Sequence, residues 1–101
     1  MDIKDIAKRV CEFQVKRFPK YGSQLNQKLI FIHAVEEVGE IARQIFSKES
    51  GMRNYDQENI KEEITQAILD LLVLAELNEV DLEEEIEKKI SNMVSRWSPK
   101  D

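Results

Sequence analysis

The sequence predicts an all-α protein, an antiparallel four-helix bundle completed by dimerisation. Three observations carry that expectation. Apolar residues recur at helical spacing in four separate stretches, and alternation of period two is absent over any useful length. Turn-forming residues are scarce, with three Gly and two Pro in 101 residues. Hydrophobic residues make up 42% and charged residues 35%, enough apolar material for one core and too much for a disordered chain. The length suits a single domain over residues 1–101, and no repeat, low-complexity tract or linker divides it. Four helices this short bury a modest core alone, which is why a second copy is expected.

The first helix is read from about Ile3 to Phe18, with Ile3, Ile6, Val10, Phe13 and Phe18 inward, Asp2 as cap and Pro19 as stop. "PKYGSQ" is the turn. The second runs from Ser23 or Gln24 to about Ser47 on a stripe of Leu25, Leu29, Ile32, Val35, Val38, Ile41 or Ala42, and Ile45. Gly39 sits inside it at a helix-propensity cost of about 1 kcal/mol relative to Ala. Either a neighbouring backbone or a ligand approaches closely there, or the glycine is a tolerated surface residue. Gly51 is the expected stop, and Asn54 or Asp56 the cap of the next helix. That third helix spans about Gln57 to Asn78, with Ile60, Ile64, Ala67, Ile68, Leu71, Leu72, Leu74 and Ala75 inward. Its "AILDLLVLAEL" is apolar on nearly all sides, as a central or interface helix would be. "NEVD" is a tight connection. Asp81 caps a fourth helix to about Trp97, with Leu82, Ile86, Ile90, Met93 or Val94, and Trp97 buried, and Pro99 ends it.

Net charge is −5, unevenly spread. Residues 1–50 hold nine Lys and Arg against seven Asp and Glu; residues 51–101 hold six against thirteen. That balance argues against DNA or RNA binding, which wants a basic face. An acidic site can still take a polyphosphate when divalent cations bridge the two. Cys11 is the single cysteine, so no intramolecular disulfide forms; it is expected on the buried side of the first helix and not as a catalytic thiol. No segment has the roughly 18 uninterrupted apolar residues of a membrane span. "MDIKDIAKRV" is too charged for a signal peptide. A cytoplasmic location is the resulting expectation.

One stretch raises a chemical question. "AVEEVGEIAR" packs Glu36, Glu37 and Glu40 into one and a half helical turns beside an apolar stripe. Glu37 and Glu40 share a face, as do Glu36 and Glu40. On the third helix Glu62 and Glu63 come one turn after the start, and Asp70 lies seven residues beyond Glu63 on the same face. Like charges one turn apart destabilise a helix by some tenths of a kcal/mol, roughly, per pair. Two such helices packed antiparallel would gather carboxylates as a hard cation such as Mg²⁺ wants them. The common alternative is a solvated acidic face.

"HAVEEVGEIARQI", then "KEEITQAILDLLVLAELNEVDLEEEIEKKI" and "SRWSP", together resemble the MazG-like all-α nucleoside triphosphate pyrophosphohydrolases, over roughly residues 25–99. That family carries E-x-x-E on one helix and E-x-x-D on another, a leucine-alanine helix end, a short turn before an aspartate, and a last helix ending near Arg-aromatic-Pro. Here E-x-x-E is Glu37 to Glu40, the second motif begins at Glu63, and "LAELNEVDL" supplies the helix end and turn. The departure is Gln66, which stands where the family has Asp.

The resemblance implies a nucleoside triphosphate substrate and Mg²⁺, with Mn²⁺ as the alternative, in metal-dependent hydrolysis to a nucleoside monophosphate and pyrophosphate, as in the house-cleaning of non-canonical or excess nucleotides. Glu37, Glu40 and Glu63 would be metal ligands, with Asp70 or Gln66 completing the set. Glu36 would orient or deprotonate the attacking water; a solvent-facing glutamate is its plain alternative. Lys89 and Arg96 would meet phosphates, or simply favour a helix dipole. Trp97, Phe31 and Tyr21 would stack on a base, or serve packing, an interface or a turn. His33, four residues before Glu37, would hydrogen-bond that glutamate and not the metal. The resemblance also implies a homodimer or a dimer of dimers. Two other readings stand beside this one. A nucleotide- or metal-binding regulatory protein on the same scaffold draws on Gln66. A plain helical interaction module needs no site at all.

Overall fold

The computed structural model describes residues 2–17, 27–51 and 56–97. Among the described residues four helices follow one another: α1 Ile3–Arg17, α2 Gln27–Glu49, α3 Gln57–Leu77 and α4 Leu82–Arg96. The described residues contain no strand. The all-α expectation holds, with boundaries close to those read from sequence. The expected start of α2, and the expected roles of Phe18, Tyr21 and Leu25, lie outside the described residues.

The caps form for the reasons their side chains suggest. Asp2 accepts from the Lys4 backbone N–H at 2.9 Å. Asp56, not Asn54, is the α3 cap and accepts from the Glu58 N–H at 2.9 Å. Asp81 caps α4 by accepting from the Glu84 N–H at 3.2 Å. Each satisfies a backbone donor that the first helical turn leaves open. Gly51 follows α2 with φ of 71°, left-handed backbone that glycine adopts without strain. The turn after α3 reaches the same region through Glu79, φ 56°, with no glycine to mark it. The Val80 N–H reaches back to the Ala75 carbonyl at 2.9 Å there, closing the helix end.

α2 and α3 form the principal pair and run antiparallel. His33 meets Asp70 near one end, and Gln44 Oε1 accepts from the Asp56 N–H at 2.9 Å near the other. Asn78 Nδ2 donates to Gln27 Oε1 at 2.8 Å, tying the end of α3 to the start of α2. α1 packs on α3, and α4 meets α1 over a short stretch. The buried apolar residues are Ala7, Ile30, Ala34, Ala67, Leu72 and Val73, with Ser47 and Asp70 buried among them. The small residues Ala34, Ala67 and Ser47 suit close packing of the two helices.

Three of the expected stripes are corrected. On α2 the buried seam is Ile30, Ala34 and Ser47, with Glu37, Ile41 and Gln44 half-buried. The expected Leu29, Ile32, Val35, Val38 and Ile45 are exposed. α2 is apolar on two faces, so periodicity alone does not choose between them. On α3, Ile64, Ile68 and Leu71 face outward while Ala67, Leu72 and Val73 are buried. On α4, Ile86, Ile90, Met93, Val94 and Trp97 are all exposed. Phe13 on α1 is exposed too, while Ile3, Ile6 and Val10 are half-buried as expected. The radius of gyration is 17.0 Å, against about 13 Å for a compact domain of this length. The exposed Ile86, Ile90, Met93 and Val94 leave the apolar face of α4 uncovered.

Added to Gly39, a Cβ would meet nothing within 4 Å, so the glycine is not required by a close neighbour in the chain. Cys11 is half-buried, and burial first, then Glu76 and Glu12, push its pKa up. A raised thiol pKa is the opposite of what a nucleophile needs.

Candidate acidic site between α2 and α3

The antiparallel pairing brings the first acidic motif, midway along α2, opposite the N-terminal half of α3. An open cavity of about 770 Å³ lies there. From α2 it is lined by His33, Glu37 and Glu40, and from α3 by Lys61, Glu62, Glu63, Thr65 and Gln66. Glu37, Glu40 and Gln66 are half-buried, so their polar ends sit at the boundary between core and solvent.

Glu63 is the most perturbed member. Its Oε2 is buried and has no hydrogen-bond partner. Desolvation pushes its pKa up, and the neighbouring Glu40 and Glu37 charges push it further, with Arg43 opposing. A carboxylate in that position lacks a counter-charge. Arg43 supplies part of one: its Nη2 lies 3.1 Å from Glu40 Oε1, one turn along α2.

Behind these groups sits Asp70, 1% exposed and yet carrying a carboxylate. Its Oδ2 accepts from His33 Nδ1 at 2.6 Å. Its Oδ1 accepts from Gln66 Nε2 at 3.0 Å. Both oxygens are engaged, which is how a buried acid avoids an uncompensated desolvation cost. The other ring nitrogen of His33, Nε2, lies 3.5 Å from Glu37 Oε1. His33 thus stands beside Glu37, where the sequence suggested it.

The structure gathers Glu37, Glu40, Glu63 and Gln66 on one cavity, with His33 beside them. It does not bring the remaining candidates there. Asp70, expected as a compensating ligand one turn along, is turned inward and bonded to His33 and Gln66. Its position on α3 faces the packed seam, not the opening. Glu36 is exposed on α2 and does not line the cavity. Lys89, Arg96 and Trp97 lie on or at the end of α4, all exposed and outside the lining. Phe31 is an exposed residue of α2. Glu62, noted in the acidic cluster without a role, lines the cavity too, while Lys61 and Thr65 were missed as lining residues and Arg43 as a charge partner. Their signal was proximity: each lies within a turn of Glu40 or Glu63.

The cavity's donor set is rich in carboxylate oxygen, which suits a hard divalent cation. The unpartnered Glu63 Oε2 is the atom such a cation would satisfy. Among the described residues, no three His, Cys, Asp or Glu side chains are drawn tightly enough to form a ready metal cage. Also among them, no helix is long and apolar enough to cross a membrane.

No curated protein and no solved structure matches the chain. A family does: the MazG nucleotide pyrophosphohydrolase domain matches residues 26–99. The match runs through α2, α3 and α4 and takes in both walls of the acidic cavity, so the chain belongs to the MazG nucleotide pyrophosphohydrolase domain family.

Proposed function

We propose that this chain is a metal-dependent nucleoside triphosphate pyrophosphohydrolase, which releases a nucleoside monophosphate and pyrophosphate. The observation that carries the reading is the buried, unpartnered Glu63 Oε2 facing Glu37 and Glu40, in a chain of this family. Glu37, Glu40 and Glu63 would hold Mg²⁺, or Mn²⁺, with Gln66 as a neutral oxygen donor. The ion supplies charge neutralisation for the triphosphate and a lowered pKa for attacking water. The chain's own residues do the rest. His33 braces Glu37 from behind. Lys61, on the α3 wall of the cavity and 3.1 Å from Glu58, and Arg43, paired with Glu40, would meet phosphate oxygens as these enter. Glu36, exposed one turn before Glu40, would be the spare carboxylate that orients water from the outer edge of the site.

A homodimer, or a dimer of dimers, completes the fold in this proposal. The exposed apolar residues of α2, α3 and α4 support it, since a single chain leaves them in water. In a dimer, α4 of one protomer can approach the cavity of the other, which is the route by which Lys89, Arg96 or Trp97 would reach substrate. The substrate is a nucleoside triphosphate taken from solution, with no role for DNA, RNA or membrane.

The test is pyrophosphate release from a panel of ribo- and deoxyribonucleoside triphosphates with Mg²⁺ or Mn²⁺, with EDTA as control. Metal-dependent release is expected, and Glu40→Gln is expected to abolish it while leaving the helical fold intact. A Glu40→Gln protein with full turnover would remove Glu40 from the site. Gln66 in place of the family's Asp favours one second reading, a nucleotide-binding regulatory protein. It predicts thermal stabilisation by nucleotide and metal without pyrophosphate release.

A further inference from the structure

Gln66 lines the acidic cavity with a neutral amide, and Asp70 offers a physical account of how that amide is held. Asp70 is 1% exposed, on α3, one turn beyond Gln66. A carboxylate oxygen accepts hydrogen bonds and does not donate them. Whatever faces Asp70 must therefore present N–H. Gln66 does so with Nε2 at 3.0 Å, and His33 does so with Nδ1 at 2.6 Å. A glutamine amide has one oxygen branch and one nitrogen branch, and little intrinsic preference about which way they point. A fixed acceptor on one side removes that freedom, and once Nε2 is committed to Asp70, Oε1 occupies the other branch.

We propose that Asp70 is a positioning residue: by holding the Gln66 amide through its nitrogen, it turns Gln66 Oε1 toward the cavity as an oxygen donor beside Glu37, Glu40 and Glu63. The inference rests on the metal-site reading above. Gln66 lines the cavity and Asp70 does not, so the two residues divide the work. Asp70 also holds His33, whose Nε2 lies 3.5 Å from Glu37 Oε1, so both walls of the site are set from one buried anchor. The pairing also accounts for an amide at this position. An aspartate at position 66 would set a second carboxylate one turn from the buried Asp70 charge, an unfavourable like-charge spacing. Gln66 keeps an oxygen for the site and offers Asp70 a donor instead. Were the amide reversed, an NH₂ group would face the cavity and repel a cation.

The experiment measures Mn²⁺ binding by loss of the free-ion electron paramagnetic resonance signal. Gln66 side-chain amide NMR is recorded in parallel on the metal-free protein. Asp70→Asn is expected to raise the Mn²⁺ Kd on the order of tenfold, the scale of losing a group that orients a ligand. Asparagine can accept or donate, so it no longer dictates the amide. The double variant Gln66→Asp with Asp70→Asn is expected to restore binding, because a carboxylate carries oxygen on both branches. In the native protein one Gln66 Nε2 proton should be displaced downfield, and Asp70→Asn should abolish the displacement. A merely structural Asp70 would lower the melting midpoint without moving the Kd or being rescued. Should Asp70→Asn fail to fold, the native Gln66 amide spectrum decides alone: a downfield-displaced Nε2 proton supports the inference, and an undisplaced pair overturns it. A native protein that binds Mn²⁺ with a Kd indifferent to these variants overturns this inference alone. A native protein that binds no Mn²⁺ overturns it together with the metal reading.

Discussion

The α2–α3 pair and α4 are both amphipathic in sequence, yet they meet opposite fates. Along α2 and α3, Ile30, Ala34, Ala67, Leu72 and Val73 are buried, and a polar network of His33, Asp70 and Gln66 crosses between the helices. Along α4, every residue after Leu82 is exposed, including Ile86, Ile90, Met93 and Val94. Its strongest side-chain ties are local, such as Lys88 to Glu84 at 3.1 Å. Exposed pairs of that kind hold little, because solvent screens them. An apolar stripe is thus a demand for a partner, and it does not say which partner. α2 and α3 meet the demand on the faces they turn to each other, with a second apolar face of each left exposed, and α4 leaves its stripe beyond Leu82 open.

The comparison breaks most sharply on core truncation. Leu72→Ala should cost about 2–5 kcal/mol in urea unfolding at every protein concentration, because it empties a packed position. Met93→Ala should change the unfolding of a dilute chain by less than about 0.5 kcal/mol and instead raise the dimer dissociation constant. A concentration-independent loss at Met93 as large as that at Leu72 would mean that α4 packs within its own chain.

The two capping aspartates carry the comparison to the helix ends. Asp56→Ala should lower global stability by about 1 kcal/mol, since α3 belongs to the principal pair. Asp81→Ala removes an equivalent bond but should appear as faster hydrogen exchange confined to α4, with the global unfolding midpoint little changed. Equal midpoint shifts would show α4 to be coupled to the core as tightly as α3.

Glu63 sharpens the comparison inside the better-packed region. Its carboxyl titrates higher in the folded chain than in the unfolded one, first through desolvation and then through Glu40 and Glu37. The folded state then holds the proton more tightly. In EDTA the chain should lose stability as pH rises from the usual carboxylate range through the raised folded value, with no such penalty below that range. Glu63→Gln should flatten that part of the melting-temperature profile, and saturating Mg²⁺ should do the same for the native protein. A profile unchanged by the substitution would assign the pH dependence elsewhere.

The smallest effect expected is at Gly39. An added methyl group meets open space in the chain, so Gly39→Ala should stabilise α2 by about 0.5–1 kcal/mol. A loss of stability that grows with protein concentration would reveal a second copy lying close over that glycine.

Much of the fold was legible because its signals are local. Asp2 and Asp81 cap because of their own side chains, Gly51 stops α2 because of its backbone, and the acids at Glu37, Glu40 and Glu63 announce a face by spacing alone. The choice between Asn54 and Asp56 needed the fold, and so did the left-handed Glu79, which no glycine signalled. The buried seam of α2 was misjudged for a related reason. Two apolar faces on one helix satisfy the same periodicity, and only the approach of α3 selects Ile30 and Ala34 over Leu29 and Ile32.

The site divides in the same way. The sequence by itself determined the helices, the caps at Asp2 and Asp81, the acidic motifs and the family to which they belong, since each rests on residues a turn or so apart or on a linear pattern. The tertiary structure decided which acids share a cavity, left Glu63 Oε2 without a partner, and turned Asp70 inward from the metal position expected for it. Those outcomes depend on where α3 lies against α2, a contact between residues as far apart as His33 and Asp70. Helical periodicity carries no term for that distance.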